Sequence, residues 1–421
     1  MTPRTRRMTD LQRLIGSSLV SSLAGGMILG AVPLAIVQLG GGVLAVGLAS
    51  ASLYAWWLAS VPISALVDRS GIGPALRRFA PLRLVALLLI VAGVIVASTG
   101  QTPTAGLVTI CAGTLTYGLI DVVTDSASGT LPALVVDEEA YDKAYSSLQA
   151  TTRGADLVLG PILGGAAFLL STWAPFAIAG ALLVISYALL FPFFRDPRTA
   201  APQNLEVGSS WLSETFAGLQ HAARTPAILG IAITLIGVAA ASEVVAVIVS
   251  PLAQVRIDSE HWVQALSVLR AVAGVFAIVI SLSAPFLVKY INRGALMSAA
   301  ALLGVLAPLA LGLSHVWYSF GIALILAEIG EALWVPLAQG TIIRTTPRHL
   351  LARTRAAIMF ITWGTIPVTS LAAGTVAASA GITPTLLIAT GFAAISVAVG
   401  LPIMLRGMRT ARQCSNATQT A

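Results

Sequence analysis

The sequence predicts an all-α polytopic membrane protein, with twelve transmembrane helices in two pseudo-symmetric six-helix halves and both termini in the cytoplasm. Hydrophobic residues make up 57% of the 421 residues and charged residues only 10%, whereas an ordinary soluble domain has about 25% charged residues. Twelve apolar runs are each long enough to cross a bilayer, which takes about 20 residues. Apolar side chains are tolerated at such a surface because lipid surrounds it.

The apolar runs give the predicted spans 1 to 12 in chain order. Their boundaries are 14–38, 42–66, 81–99, 104–127, 146–171, 174–194, 226–250, 262–288, 294–313, 316–340, 354–378 and 382–405. The domains that follow are an N-terminal tail (1–13), a first half (14–194), a cytoplasmic linker (195–225), a second half (226–405) and a C-terminal tail (406–421). Within the linker, Trp211–Ala223 is interpreted either as a short amphipathic helix on the inner membrane surface or as plain linker.

The distribution of basic residues sets the orientation. The net charge of +7 is spread in short clusters between apolar runs, which is typical of membrane topology and does not indicate nucleic-acid binding. With the N-terminus in the cytoplasm, only Arg256 and Arg270 of the 24 Lys and Arg residues fall outside cytoplasmic tails, loops and inner helix ends, as the positive-inside rule requires. We expect a monomer in the plasma membrane, specifically a bacterial inner membrane.

Catalytic and metal-binding signatures are missing from the sequence. The two cysteines, Cys111 and Cys414, are too few for a disulfide framework. The four histidines are scattered, and no zinc, nucleotide-binding or nucleophile-elbow motif occurs. We therefore expect no cofactor, no metal and no enzymatic activity, although a membrane-embedded enzyme acting on lipid-linked substrates remains an alternative.

Several motifs resemble those of the major facilitator superfamily. The segment from Ser64 to Gly71 contains Asp68-Arg69 and is similar to the signature loop after span 2 of that superfamily, with Ser64 in place of its first glycine and Ile72 in place of a basic residue. A related segment, Leu287-Val288-Lys289-Tyr290, follows span 8, which suggests a duplicated six-helix unit. The resemblance implies that Asp68, with Arg69, locks the cytoplasmic side in the outward-facing state.

Three further segments are similar to the macrolide, tetracycline and enterobactin exporter-like branch, which contains drug:proton antiporters. They are Leu131–Val135, Leu44–Leu48 and Trp363–Pro367. Members of that branch often have an acid in the middle of span 1, but Ser22–Met27 contains none. If that acid couples proton movement in the family, this protein must use another one.

Charged residues inside predicted spans are candidates for function because each costs about 2.5–3.5 kcal/mol at the centre of a helix. Asp121 and Asp125 in span 4 are four residues apart and share a helical face. Glu328 and Glu331 in span 10 are three apart and also share one. Two close carboxylates in an apolar cavity do not both ionise easily, so we interpret both pairs as sites for protons or a cationic substrate. Structural ion pairing of Asp125 with Arg153 is the alternative.

Other intramembrane charges indicate gating or structural pairs. Glu243 in span 7 and Arg270 in span 8 are predicted to form an intramembrane pair, either a gate or a permanent bridge. Asp156 lies three residues after Arg153 in span 5, so a local ion pair is the favoured interpretation.

Small and aromatic residues complete the set of candidates. Gly160, Pro161, Gly164 and Gly165 form a small-residue face in span 5 that permits close helix packing, and the run resembles an element associated with exporters of the superfamily. Four tryptophans are candidates for lining an apolar drug-sized cavity, or for packing against lipid. They are Trp56, Trp57, Trp334 and Trp363.

These observations predict a secondary active transporter that takes a small-molecule substrate and protons. Its expected activity is proton-coupled export of drug-like, lipophilic or cationic compounds by alternating access, which would confer antibiotic resistance. An uptake symporter for a small solute remains the alternative, since it would share the fold and the acidic residues.

Overall fold

The computed structural model describes residues 3–100, 103–135, 148, 151–152, 154–196, 199, 219–257 and 261–420, and their regular structure is helical. The chain separates into two compact units, Met1–Val207 and Gly208–Ala421. The division falls inside the segment that the sequence assigns to the linker, most of which lies outside the described residues.

The first unit holds the helices of spans 1 to 6. They are α1 (Pro3–Gln38), α2 (Val43–Tyr54), α3 (Ser60–Ser70), α4 (Ile72–Phe79), α5 (Leu82–Ser98), α6 (Pro103–Val135), α7 (Gly160–Phe168) and α8 (Ala174–Leu190). A 3-10 turn joins α2 to α3 at Ala55–Ala59, a π-helical segment at Gly154–Leu159 leads into α7, and a second 3-10 turn at Phe191–Arg195 follows α8.

The second unit holds the helices of spans 7 to 12. They are α9 (Pro226–Arg256), α10 (Trp262–Tyr290), α11 (Arg293–Leu313), α12 (Trp317–Thr345), α13 (Arg348–Ala380) and α14 (Ile382–Thr420). In the described part of the chain, ten helices are long and apolar enough to cross a membrane. Shorter apolar helical stretches, Val43–Ala59 and Gly154–Phe168, occupy the positions of spans 2 and 5, so the architecture agrees with the predicted twelve helices.

Span 2 is interrupted where the sequence predicts one continuous helix. Pro62 has no N–H to donate to the carbonyl of Leu58 four residues earlier, and the chain narrows to the 3-10 turn just before α3, with the Ser60 N–H bonded to the Trp57 carbonyl. The helix then continues to Ser70 and stops at Gly71, whose φ of +84° suits a residue without a Cβ. Asp68 and Arg69, expected in a tight turn, therefore lie in the last turn of α3.

Span 3 begins earlier than the predicted residue 81. Ala80 and Pro81 keep helical backbone angles between α4 and α5, so Ile72–Ser98 is a single membrane-length stretch of 27 residues. Arg83 therefore lies about 16 Å into this stretch, at a rise of about 1.5 Å per residue, and not at its inner end as the sequence suggested.

Glycines bring α1 against the π-helical segment and α7. A Cβ built on Gly26 would contact the Asp156 carbonyl and lie 2.9 Å from the Gly160 Cα. One built on Gly164 would lie 2.6 Å from the Met27 carbonyl oxygen. Side chains at these positions would push the backbones apart, so the small-residue run of span 5 faces α1 at close range.

In the second unit, glycines likewise bring α9 close to α14. A Cβ on Gly237 would lie 2.5 Å from the Ser396 Oγ, and one on Gly400 would lie 2.5 Å from the Thr234 Oγ1. Small residues on both helices therefore allow their backbones to approach closely, which favours packing where lipid supplies no hydrophobic driving force.

Candidate functional site

An ion pair between a buried arginine and a half-buried aspartate lies inside the first unit. Arg83 of α5 is only 6% exposed, and its Nη2 donates to Oδ1 of Asp121 on α6. Its Nη1 donates to the Ser21 Oγ of α1 at 2.8 Å. One guanidinium therefore connects three helices of this unit. It also places a positive charge against Asp121, the most central acid of span 4.

Aromatic and acidic groups surround the guanidinium. The Arg83 Cζ lies 5.7 Å from the centroid of the Tyr117 ring, within cation–π range. Asp125 and Tyr187 also lie within electrostatic range of Arg83. We call Arg83, Asp121, Asp125, Tyr117 and Tyr187 the Arg83 cluster.

A polar cavity of about 70 Å³ adjoins the Arg83 cluster. Most of its lining groups are hydroxyls or charges, from Thr152 and from α1, α5, α6 and α8. They are Ser17, Ser18, Ser21, Ser22, Arg83, Thr124, Asp125, Ser128, Thr152, Ser186 and Tyr187, with Leu76, Ala80 and Leu190 as apolar neighbours. Ser17 and Ser186 share a hydrogen bond of 2.8 Å between their hydroxyls and close one wall.

Asp156 lies beside α1 in the first unit. Its Oδ1 would be 3.2 Å from a Cβ on Gly25, and it is within electrostatic range of Tyr117. Arg153, the partner that the sequence proposes for Asp156 and for Asp125, lies outside the described residues. The side chain of Asp68 is likewise not described, and that of Arg69 is exposed.

A second charged cluster lies inside the second unit. Glu243 of α9 accepts a hydrogen bond of 2.6 Å from the Ser370 hydroxyl of α13, and Ser370 is fully buried. Glu331 of α12 lies within electrostatic range of Glu243. Glu243 and Glu331 therefore belong to one polar region that joins three helices.

Arg270 of α10 lies within electrostatic range of Glu328 of α12, and Glu328 lies within electrostatic range of Glu331 one helical turn away. Glu243 bonds Ser370, and α9 packs more extensively against α13 than against α10. We call Glu243, Arg270, Glu328 and Glu331 the Glu328 cluster.

The tryptophan candidates differ in their surroundings. Trp334 is 3% exposed and packs in the core of the second unit with Met297, Leu333 and Ile358. Trp56 and Trp57 lie in the 3-10 turn of span 2 and are half-buried, as is Trp363 in α13.

Sequence reasoning missed Arg83 as a site residue. The predicted span 3 starts at residue 81, which counts Arg83 among the inner helix ends. The amphipathic helix α4, with Ile72 and Leu76 buried and Arg77 and Arg78 exposed, places the start of the helical stretch nine residues before residue 81. Among the described residues, no group of three or more acids, histidines or cysteines is arranged to hold a metal ion.

Comparisons with known proteins agree with this architecture. A family model described as Major Facilitator Superfamily matches residues 14–367. A mutant of the nucleoside transporter NupG superposes with a TM-score of 0.66 at 12% identity, over 94% of this chain and 99% of that one. No curated protein sequence matches significantly.

Two bacterial proteins superpose about as well. A homologue of the human lysosomal transporter Spinster, inward-facing and unoccupied, gives a TM-score of 0.65 at 13% identity, over 96% of this chain and 98% of that one. A homologue of the iron transporter ferroportin, also inward-facing, gives 0.63 at 16% identity, over 95% and 98%. At these identities the likeness concerns the fold.

Proposed function

Because the chain belongs to the major facilitator superfamily, and is thus a multi-pass membrane transporter and not an enzyme, we propose that it is a proton-coupled exporter of small lipophilic or cationic compounds. The superfamily membership supplies the transport class. Alternating access and the choice of protons, of export and of substrate charge are our proposal, and the last three rest on the charged residues within the helices.

The Glu328 cluster is the observation that carries this proposal. Its three carboxylates and one guanidinium carry an excess of two negative charges when all are ionised. Such an excess is costly within a membrane, so the cluster favours states in which a proton or a cationic group offsets it. Competition between a proton and a cationic substrate for the same carboxylates is the essential step of an antiporter.

Protons supply the energy in this proposal. One elementary charge that moves down a membrane potential of 100 mV releases about 2.3 kcal/mol, before any pH gradient is added. Proton entry to Glu328 or Glu331 from the outside would displace the bound cation outward. Asp121 and Asp125 are the corresponding candidates in the first half, and Asp68 and Arg69 are proposed to hold the cytoplasmic side closed.

Uptake is the alternative direction for the same protein. A symporter would carry its solute and its proton inward together, and it could use the same carboxylates. The small-residue run Gly160–Gly165 favours export, because it resembles an element of exporters in the superfamily and packs against α1 at close range. The direction of proton movement on addition of substrate separates the two.

The experiment measures substrate-triggered proton movement. Inverted membrane vesicles that contain the protein are acidified inside, a pH-sensitive dye reports, and macrolides, tetracyclines, cationic dyes and siderophores are added in turn. We expect one class of compound to release protons from the lumen, and we expect Glu328→Gln to abolish the release.

A matched substitution controls for loss of charge alone. Asp196 lies two residues beyond the membrane-length stretch Ala174–Phe194, so Asp196→Asn removes a carboxylate without touching the Glu328 cluster and should leave proton release unchanged. Proton release that persists in Glu328→Gln would contradict the role of Glu328. No release with any compound, from vesicles shown to contain folded protein, would contradict proton-coupled export of these compounds.

A further inference from the structure

One stripe of exposed side chains runs along α14 towards its cytoplasmic end. Its members recur at alternating spacings of three and four residues, which places them on one face of a helix. The face is apolar first and then changes to two arginines. The stripe consists of Phe392, Ile395, Val399, Pro402, Arg406 and Arg409, and all of them are exposed.

The opposite face of α14 is fixed against α9. A Cβ built on Gly407 would lie 2.8 Å from the Ala227 Cα, and one built on Gly400 would lie 2.8 Å from the Gly230 carbonyl oxygen. Met404, between the two glycines, is fully buried in the core of the second unit. Because the backbones approach so closely here, α14 cannot rotate, and its exposed stripe has a fixed direction.

The two arginines mark the membrane boundary on this stripe. Ile382–Thr410 is long and apolar enough to cross a membrane, and a guanidinium inside the hydrocarbon is costly, so Arg406 lies at the level of the lipid headgroups. Ile395 lies 11 residues before Arg406, which is about 16 Å at 1.5 Å per residue. That distance is about half of a hydrocarbon core of about 30 Å. The acyl chain of one lipid therefore extends from Arg406 to about Ile395.

The guanidinium groups of Arg406 and Arg409 are placed to share one anion. Residues three apart on a helix have their Cβ atoms about 5–6 Å apart. Among the described residues, no ion pair involves either side chain. A guanidinium matches the oxygens of a phosphate with its fork of N–H donors. Arg224, also exposed, lies two residues before the start of α9, where α9 packs on Gly407, and adds a third positive charge to this helix crossing.

We propose that this end of α14 binds an anionic phospholipid of the cytoplasmic leaflet. Arg406 and Arg409 hold the phosphate, and an acyl chain lies along Val399 and Ile395. A zwitterionic lipid binds less tightly, because the positive group of its own head offsets the phosphate charge. The continuity of the apolar stripe with the two arginines favours a lipid over a soluble phosphate, which would contact the arginines alone. The inference does not depend on the substrate, the direction of transport or the coupling ion.

The first experiment measures lipid affinity by native mass spectrometry of the purified protein in detergent. Dioleoylphosphatidylglycerol and dioleoylphosphatidylcholine are titrated separately, and the dissociation constant of the first bound lipid is read for each. We expect the anionic lipid to bind more tightly. Arg406→Gln with Arg409→Gln should weaken it by about thirtyfold, which is about 2 kcal/mol for two basic residues, and should leave phosphatidylcholine unchanged. Glutamine keeps the helix propensity of arginine.

A matched pair of substitutions controls for loss of positive charge. Arg77→Gln with Arg78→Gln also removes two exposed guanidinium groups, from α4 in the first unit. These arginines are consecutive, so they do not face each other on the helix, and their loss should weaken phosphatidylglycerol binding much less. Equal losses for the two pairs would assign the effect to diffuse positive charge and overturn the site. An unchanged affinity after loss of Arg406 and Arg409 would also overturn it.

The second experiment locates the acyl chain. Phosphatidylglycerol and phosphatidylcholine, each with the same diazirine on an acyl chain, are added to vesicles that contain the protein, and the photolabelled peptides are compared. Leu302 of α11 is the control position, since it is 52% exposed and Ile395 is 66% exposed. The arginine at the start of α11, Arg293, is half-buried and donates to the Thr341 hydroxyl.

The labelling pattern gives a direct test of the lipid position. The phosphatidylglycerol probe should label the peptide with Ile395 and Val399 several times more than the peptide with Leu302, and the phosphatidylcholine probe should label both alike. The preference should disappear in Arg406→Gln with Arg409→Gln. Equal labelling of the two peptides by the anionic probe, in the natural chain, would overturn the proposal.

A soluble phosphate ester as the occupant is tested by competition. Glycerol 3-phosphate has the charged group of the lipid without its acyl chains, and it is added in molar excess to the protein bound to phosphatidylglycerol. We expect the lipid to remain bound, because the stripe from Val399 to Ile395 holds its chain. Displacement of the lipid would assign the two arginines to a soluble anion and overturn the lipid site.

Discussion

The Ser370 hydroxyl of α13 donates a hydrogen bond of 2.6 Å to Oε1 of Glu243 on α9, between residues 127 positions apart in sequence. Ser370 is fully buried, and its hydroxyl also bonds the Ile366 carbonyl of its own helix at 2.8 Å. A carboxyl group within a membrane helix is thus held at a defined place beside Glu331.

Removal of this hydroxyl should destabilise the second unit. Ser370→Ala leaves the Glu243 carboxyl without its donor, and a buried polar group that loses its partner costs about 1–3 kcal/mol. We expect a lower unfolding midpoint in detergent. Ser283→Ala is the control, because that exposed hydroxyl bonds only the Val279 carbonyl of its own helix. Equal midpoints for the two variants would refute the role of Ser370.

The interaction of Arg270 with Glu328 can be measured against the pairing with Glu243 that the sequence suggested. Arg270→Gln should be destabilising, because it removes the positive charge that lies within electrostatic range of the Glu328 carboxyl. Glu328→Gln, added to Arg270→Gln, should recover part of the loss, because the carboxylate left without its counter-ion is removed. Glu243→Gln in the same background should recover less. Greater recovery by Glu243→Gln would reverse the assignment.

Close packing of α1 should make Gly26 intolerant of a methyl group. A Cβ there would meet the Asp156 carbonyl and the Gly160 Cα, and overpacking of this kind costs about 1–3 kcal/mol. Gly129→Ala in α6 is the matched control, since nothing lies within 4 Å of its Cβ position and alanine favours a helix by about 1 kcal/mol. We expect the unfolding midpoint to fall for Gly26→Ala and not for Gly129→Ala.

The membrane helices were predictable because length and apolarity within the chain define a span. Within the described part of the chain, ten long apolar helices and two shorter apolar stretches follow the twelve predicted runs. The small residues Gly160 and Gly164 could also be recognised from the sequence of a single span. Their spacing indicates a face that a neighbouring backbone can approach, although the partner residues Gly26 and Met27 come only from the fold.

The side-chain bonds between helices were not predictable, because sequence spacing shows only neighbours on the same helix. The spacing placed Asp121 with Asp125 and Glu328 with Glu331. It could not show that Arg83 bonds Asp121 or that Ser370 bonds Glu243. Arg83 was also obscured by a false helix start at Pro81. A proline fits the middle of the span here because Ala80 and Pro81 keep helical angles where α4 joins α5.

The excess of carboxylates in the Glu328 cluster predicts selection by substrate charge. We expect ethidium, a permanent lipophilic cation, to be accumulated by inverted vesicles, and fluorescein, an anion, to be excluded, because an apolar site with an excess of negative charge stabilises the first and repels the second. Glu331→Gln removes one negative charge and should reduce ethidium accumulation more than that of an uncharged lipophilic compound. The readout is the initial rate for each compound in vesicles matched for protein content. Equal losses for the cation and the uncharged compound would show that Glu331 acts on coupling or structure and not on substrate charge.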